Sequence, residues 1–195
     1  NIIQIMGRPE WALRTLIHGQ PAFANMKPYM PKGLNMKQLG AYMNKTFSGR
    51  LNEDKIAAIR DMWKGKLVLK GVASSADTEM AIRLGLDGII VSNHGGRQLD
   101  AGQSSIKSLQ PIVDKYKDKL KIMIDSGLRS GPDVARAMAS GADFTFMGRT
   151  FMYGVAALAK EGGNHTISIL KTQLQQVMEQ VCCKTVKEFP QHLIK

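Results

Sequence analysis

Cysteine is nearly absent. Cys182 and Cys183 stand side by side and are the only two. Adjacent cysteines rarely bond each other, and no Cys-x-x-Cys spacing exists. This argues against a disulfide framework or a zinc site, so no metal is expected, and it fits a reducing cytoplasm. No apolar run reaches the ~18 residues that a membrane-spanning helix needs. No secretory signal is visible, though the chain opens without an initiator Met, which leaves a lost amino-terminal stretch open. The closely spaced triple-glycine fingerprint of a dinucleotide fold is missing after the first strand. Acidic residues are missing altogether between Gln20 and Asn52, where five basic residues lie. A helix-turn-helix pattern, a zinc knuckle and an aromatic RNA-binding strand are missing too, so nucleic acid is not the expected partner of that charge.

What is present fills one domain with a sizeable core: 195 residues, 44% hydrophobic. The formal charge of +11 is uneven. Residues 1–66 hold eleven Lys or Arg against four acids, a net of +7. Residues 67–195 hold sixteen against twelve, a net of +4.

Pro9 and Gly19 bracket a short amphipathic helix over 9–18. Residues 20–50 form a long segment rich in Pro, Gly, Asn, Met and Lys, with one irregular helix over 36–46. Its methionines either fill gaps or, with Phe23, Tyr29, Tyr42 and Phe47 among the lysines, rest on an anionic membrane surface. Asn52 then caps a helix over 53–64, whose Glu53 and Asp54 suit its positive end. From Leu67 the pattern turns regular. Strands are expected over 67–71, 88–91, 120–124 and 144–147. They alternate with helices over 76–85 (capped by Ser75), 106–117 (opened by Ser104 or Ser105), 131–140 and 151–160. A helix over 165–182 and a docking segment over 186–195 follow.

Strand–helix alternation argues for a parallel sheet, either a (β/α)8 barrel or an open doubly wound sheet. Every strand ends on chemistry: Lys70, then His94 and Arg97, then Asp125 and Arg129, then Gly148 and Arg149. Four successive reactive strand ends favour the barrel, whose strand ends converge on one mouth. Only four strands are legible, against the eight that a barrel needs.

Ser92-Asn93-His94-Gly95-Gly96-Arg97 places a proton acceptor and a carboxylate clamp on one loop, the pairing that proton abstraction from a small acid requires. The bland alternative is a capping histidine beside a solvated arginine. Asp100, farther along the loop, reads as a cap for the next segment. Lys70 ends an apolar strand. It either neutralises an anionic ring edge, forms a Schiff base or snorkels to solvent. Asp125-Ser126-Gly127-Leu128-Arg129-Ser130-Gly131 opens a helix whose amides suit an anion, and Gly148-Arg149 adds a second lobe; tight turns with surface arginines are the alternative.

Leu67-Val68-Leu69-Lys70-Gly71, Ile90-Val91-Ser92-Asn93-His94-Gly95-Gly96-Arg97-Gln98-Leu99-Asp100, Asp125-Ser126-Gly127-Leu128-Arg129 and Gly148-Arg149 together resemble the FMN-dependent L-2-hydroxy-acid dehydrogenases and oxidases. The resemblance runs in order over 67–195. Arg8-Pro9-Glu10-Trp11 and Asn25 look most like the membrane-associated lactate dehydrogenase branch.

The resemblance implies an α/β fold, the (β/α)8 TIM barrel, of which this chain carries the C-terminal half, strands five to eight. Residues 1–66 would supply a helix, the long basic loop and the helix before the fifth strand. Residues 67–195 would supply the FMN-binding half barrel and the C-terminal helices. It implies His94 as proton acceptor and Arg97 on the substrate carboxylate. Lys70 would lie near the flavin N1/O2 edge, with Ser92 also touching the flavin. Asp125, Ser126, Gly127, Leu128 and Arg129 would hold the ribityl–phosphate part, and Gly148 with Arg149 the phosphate. The implied reaction oxidises an L-2-hydroxy acid, L-lactate to pyruvate above all, with a quinone or another electron acceptor. The implied setting is a homo-oligomer in the cytoplasm, peripheral on the inner membrane through residues 20–50. The 195 residues alone are expected to be inactive. Alternatives kept open are an oxygen-using oxidase and a non-catalytic flavin- or phosphate-binding half barrel.

Overall fold

The computed structural model describes residues 6–19, 24–46 and 51–193. The chain separates into two compact units, Asn1–Arg50 and Leu51–Lys195.

In the first unit, helix α1 spans Pro9–His18, with Pro9 in its first turn and Gly19 at its C-cap. A 3-10 helix over Ala24–Tyr29 was not foreseen from the sequence. Helix α2 spans Met36–Thr46. Its start is held reciprocally, since the Gln38 amide donates to Asn35 Oδ1 at 2.9 Å and the Asn35 amide to Gln38 Oε1 at 3.0 Å. The Tyr42 hydroxyl donates to the Tyr29 carbonyl at 2.6 Å, tying α2 to the 3-10 helix. Phe23 and Phe47, named with the membrane-facing residues, lie outside the described residues.

The second unit opens with helix α3, Glu53–Met62, capped by the Asn52 side chain as its sequence predicts. Next come strand β1 (Val68–Val72), helix α4 (Ser75–Arg83), strand β2 (Gly88–Val91) and helix α5 (Ser105–Tyr116). Strand β3 (Lys121–Ile124), helix α6 (Gly131–Ala139), strand β4 (Phe144–Thr145), helix α7 (Arg149–Leu158) and helix α8 (Gly162–Gln180) complete the order. The strands form one parallel sheet in the order β1-β2-β3-β4. Consecutive parallel strands, each followed by a helix, are what half of a (β/α)8 barrel contributes.

Strand periodicity assigns the two faces. Ile89, Val91, Ile122 and Ile124 are fully buried, packed with Leu109, Ile112 and Tyr116 of α5, Ala81 of α4 and Ala137 of α6. Lys70, Ile90, Met123 and Phe144 share one register on the opposite face. There, Phe144 is 57% exposed and Val68 40% exposed. An apolar sheet face left uncovered among the described residues is the inner face of a barrel wall.

Two aspartates repeat one device at the amino ends of alternate strands. Asp87, before β2, accepts the Leu67 amide and pairs with Arg60 and Lys66. Asp143, before β4, accepts the Ile122 amide and pairs with Lys117 and Lys121. Each carboxylate thus ties the start of one strand to the strand before it.

Several local expectations shift. The cap of α4 is Ser74 and not Ser75, because its hydroxyl reaches the Asp77 amide. Ser104 stands at the start of α5, while Asp100 lies in a turn well before it. Strand β1 runs one residue further than 67–71, because Gly71 bulges at φ +95° and lets Val72 pair with Val91. Strand β4 ends at Thr145 instead of 147, since among the described residues only β3 pairs with it. The C-terminal 3-10 helix, Val186–His192, docks Phe189 against Ala135 and Cys183.

Candidate active site

All four strands deliver their carboxyl ends to one side of the sheet. A cleft of about 310 Å³ there is lined by Lys70 from β1 and by His94, Gly95 and Arg97 from the turn after β2. Asp125, Ser126, Gly127, Leu128 and Arg129 line it from the loop after β3, and Gly148 and Arg149 from the start of α7. Of the site residues that the resemblance implies, only Ser92 does not line this cleft. It is 3% exposed and supports the cleft from below, accepting hydrogen bonds from Lys70 Nζ at 2.8 Å and from the His94 amide at 3.1 Å. Leu128 has its side chain in the core, which leaves its backbone to face the cleft.

Lys70 does not snorkel freely, since its Nζ lies 2.6 Å from Asp125 Oδ2. Burial would raise the Asp125 carboxyl. Hydrogen bonds from Lys70, Ser92 and Ser126, with the Lys70 charge, outweigh it and hold the group below the ordinary carboxylate range. Among the described residues, His94 contributes only its backbone amide to a hydrogen bond, so its imidazole is left facing the cleft. Arg97 is exposed and pairs with no described carboxylate. A free imidazole and a free guanidinium, three residues apart at the edge of one cleft, can serve a bound acid.

The amides that the sequence offers an anion at the start of α6 are already taken. The amides of Arg129 and Ser130 donate to Asp133 Oδ2, and that of Gly131 donates to Gln173 Oε1. A complete capping box has therefore claimed the start of α6. Helix α7 is different. Its N-cap is Gly148, with no side-chain cap, so its first amides face the cleft with the positive end of the helix dipole. Arg149 adds a guanidinium whose Nη2 donates to the Gly95 carbonyl at 2.9 Å.

The cleft suits FMN chemically. Gly127 and Gly148 leave open space where a Cβ would project, which is room for a phosphate beside the α7 amides. Arg129 and Arg149, which also line the cleft, supply positive charge. Phe146, Met147 and Met152 also line the cleft and offer apolar wall for a planar ring. Sequence reading named Gly95 within the His94 turn but missed these three. Met152 could have been found one helical turn after Arg149, and Phe146 just beyond the last strand.

The sequence profile of the FMN-dependent dehydrogenase family matches residues 1–195. An L-lactate dehydrogenase of Haemophilus influenzae is 35% identical over 196 aligned residues, covering all of this chain and 51% of that protein. One from Bartonella tribocorum is 36% identical, covering 96% and 49%. The chain thus spans about half the length of the curated relatives it matches. Among solved structures, the monotopic membrane protein (S)-mandelate dehydrogenase superposes with a TM-score of 0.88 at 32% identity, over 96% of this chain and 49% of that one. A mandelate oxidase in complex with benzoyl-formic acid gives 0.69 at 33% identity, over 71% and 42%. With the profile spanning every residue, the chain belongs to the FMN-dependent dehydrogenase family.

Proposed function

We propose that this chain carries the proton-transfer and phosphate-binding half of an FMN-dependent L-2-hydroxy-acid dehydrogenase, with L-lactate as substrate and pyruvate as product. The observation that supports it best is the convergence of His94, Arg97, Lys70 and Arg149 on one cleft at the carboxyl ends of four parallel strands. Arg97 grips the substrate carboxylate through two parallel hydrogen bonds and so sets the hydroxyl-bearing carbon near His94. His94 takes one proton from the substrate, either from its hydroxyl or from its carbon. FMN, when bound, supplies the two-electron sink. Lys70, held by Asp125 and Ser92, keeps a positive charge beside the ring edge where electron density would collect. Gly148, Arg149, Gly127 and Arg129 hold the phosphate end. Ser126, Leu128 and Asp125 line the ribityl path.

Residues 20–50 are read as a contact with an anionic membrane surface, where a quinone would serve as electron acceptor. Their lack of acids and the likeness to a monotopic membrane protein over 96% of the chain support this. Among the described residues, no helix is long and apolar enough to cross a membrane. The site is placed on the cytoplasmic side, in a homo-oligomer, which size-exclusion chromatography with light scattering would read.

Turnover by the 195 residues alone is expected to be very slow. Among the described residues no side chain hydrogen-bonds or charge-balances the His94 imidazole, and the cleft is open. The test is the visible spectrum of the purified chain supplied with FMN, before and after anaerobic L-lactate. A bound flavin that bleaches only when the remaining strands are supplied in trans supports the reading. Absence of any flavin binding in both settings overturns it.

A further inference from the structure

His94 has a φ of +57°, in the left-handed region that side chains with a Cβ rarely occupy. That conformation is unfavourable for an L residue and persists only where its surroundings hold it. Two consecutive amides of this turn are held by hydroxyls. The His94 N–H donates to Ser92 Oγ at 3.1 Å, and the Gly95 N–H donates to Ser126 Oγ at 2.9 Å and to Asn93 Oδ1 at 3.0 Å. The two serines come from the ends of different strands. Both are tied to one carboxylate: Ser126 Oγ donates to Asp125 Oδ1 at 2.8 Å, and Ser92 Oγ accepts from Lys70 Nζ at 2.8 Å, the cation paired with Asp125.

Each hydroxyl has one proton. An ionised carboxylate only accepts, so it draws the Ser126 proton toward itself and leaves that oxygen's lone pairs facing the Gly95 amide. Lys70, 2.6 Å from Asp125 Oδ2, keeps the carboxylate charged and in place. We propose that Asp125 is a positioning residue for His94, acting through Ser126 on the Gly95 amide and through Lys70 and Ser92 on the His94 amide. This rests on the reading of His94 as the proton acceptor. It is a role additional to lining the ribityl path, carried by the bonds of Asp125 to Lys70 and Ser126.

The test is residue-resolved amide hydrogen exchange by NMR on the 15N/13C-labelled chain without flavin or substrate. Ser92→Ala should speed exchange about tenfold or more at His94 alone, and Ser126→Gly at Gly95 alone. Glycine suits the Ser126 φ of +75°, so that variant removes the hydroxyl without straining the backbone. Asp125→Asn should speed both, and the His94 carbon shifts that mark a left-handed backbone should move toward those of an averaged chain. The Ile89 and Ile122 amides report whether the sheet stays folded. Unchanged exchange at His94 and Gly95 in both serine variants overturns the proposal, whatever Asp125→Asn does to folding. So does unchanged exchange at both amides in a folded Asp125→Asn. Exchange does not depend on turnover, so failure to oxidise lactate would count against the enzyme reading alone.

Discussion

Arg97 and Gly95 show how single residues divide the labour in the His94 turn. Arg97 makes no ion pair among the described residues, so its removal costs the fold little. Arg97→Met in the flavin-loaded, complete site should lower kcat/KM for the 2-hydroxy acid by about 2–3 kcal/mol, or about 30- to 150-fold. Steady-state kinetics with unchanged flavin affinity would check this. Gly95 is constrained twice. Its φ is +71°, and a Cβ there would stand 2.6 Å from Arg149 Nη2. Gly95→Ala should therefore push the Arg149 guanidinium away from the Gly95 carbonyl and cost about 1 kcal/mol or more of stability. Urea denaturation reads the stability loss, and a weaker FMN dissociation constant reads the displaced arginine.

Elements are joined by carboxylates that titrate low. Asp87 is pulled down to about 2, first by its hydrogen bond from Lys66 and then by the Leu67 amide. For Asp143, burial pushes upward, but the Ile122 amide and Lys117 outweigh it and the carboxyl ends low. A carboxyl whose folded pKa lies below its unfolded value, about 3.9 for Asp, stabilises the fold fully above that value. The contribution is lost as pH falls through the folded value, toward about 2 for Asp87. The urea midpoint should therefore fall progressively below about pH 4. Asp87→Asn should flatten part of that slope while still offering an acceptor to the Leu67 amide.

At the scale of the whole molecule, charge separates from chemistry. The acid-free stretch between Gln20 and Asn52 carries five basic residues, whereas the cleft residues all lie after residue 67. The chain is expected to sediment with vesicles containing anionic phospholipid and not with zwitterionic ones, and to release as salt shortens the Debye length to about 3 Å near 1 M. Charge reversal at Lys32 and Lys45 should weaken that binding about fivefold per lysine, from about 1 kcal/mol each. Flavin binding should be unaffected in the same variant, which separates docking from the cleft.

Local chemistry alone determined a good deal of this protein. Apolar runs ending in Lys70, His94, Asp125 and Gly148 marked the strands, their alternation with 3.6-residue stripes marked the parallel sheet, and the reactive strand ends marked the cleft. Such signals are local, since periodicity and turn residues act within a few positions of themselves. The tertiary structure alone decided which amides remain for an anion. Asp133 and Gln173 take those at the start of α6, and Gln173 arrives from a helix some forty positions away. It also decided that Lys70 and Asp125 form one ion pair, that the barrel-facing side of the sheet keeps Phe144 exposed, and that Ser92 and Ser126 meet at the His94 turn. Hydrogen bonds and ion pairs form only where packing brings distant atoms within about 3 Å, and residue order does not encode that distance in any local pattern.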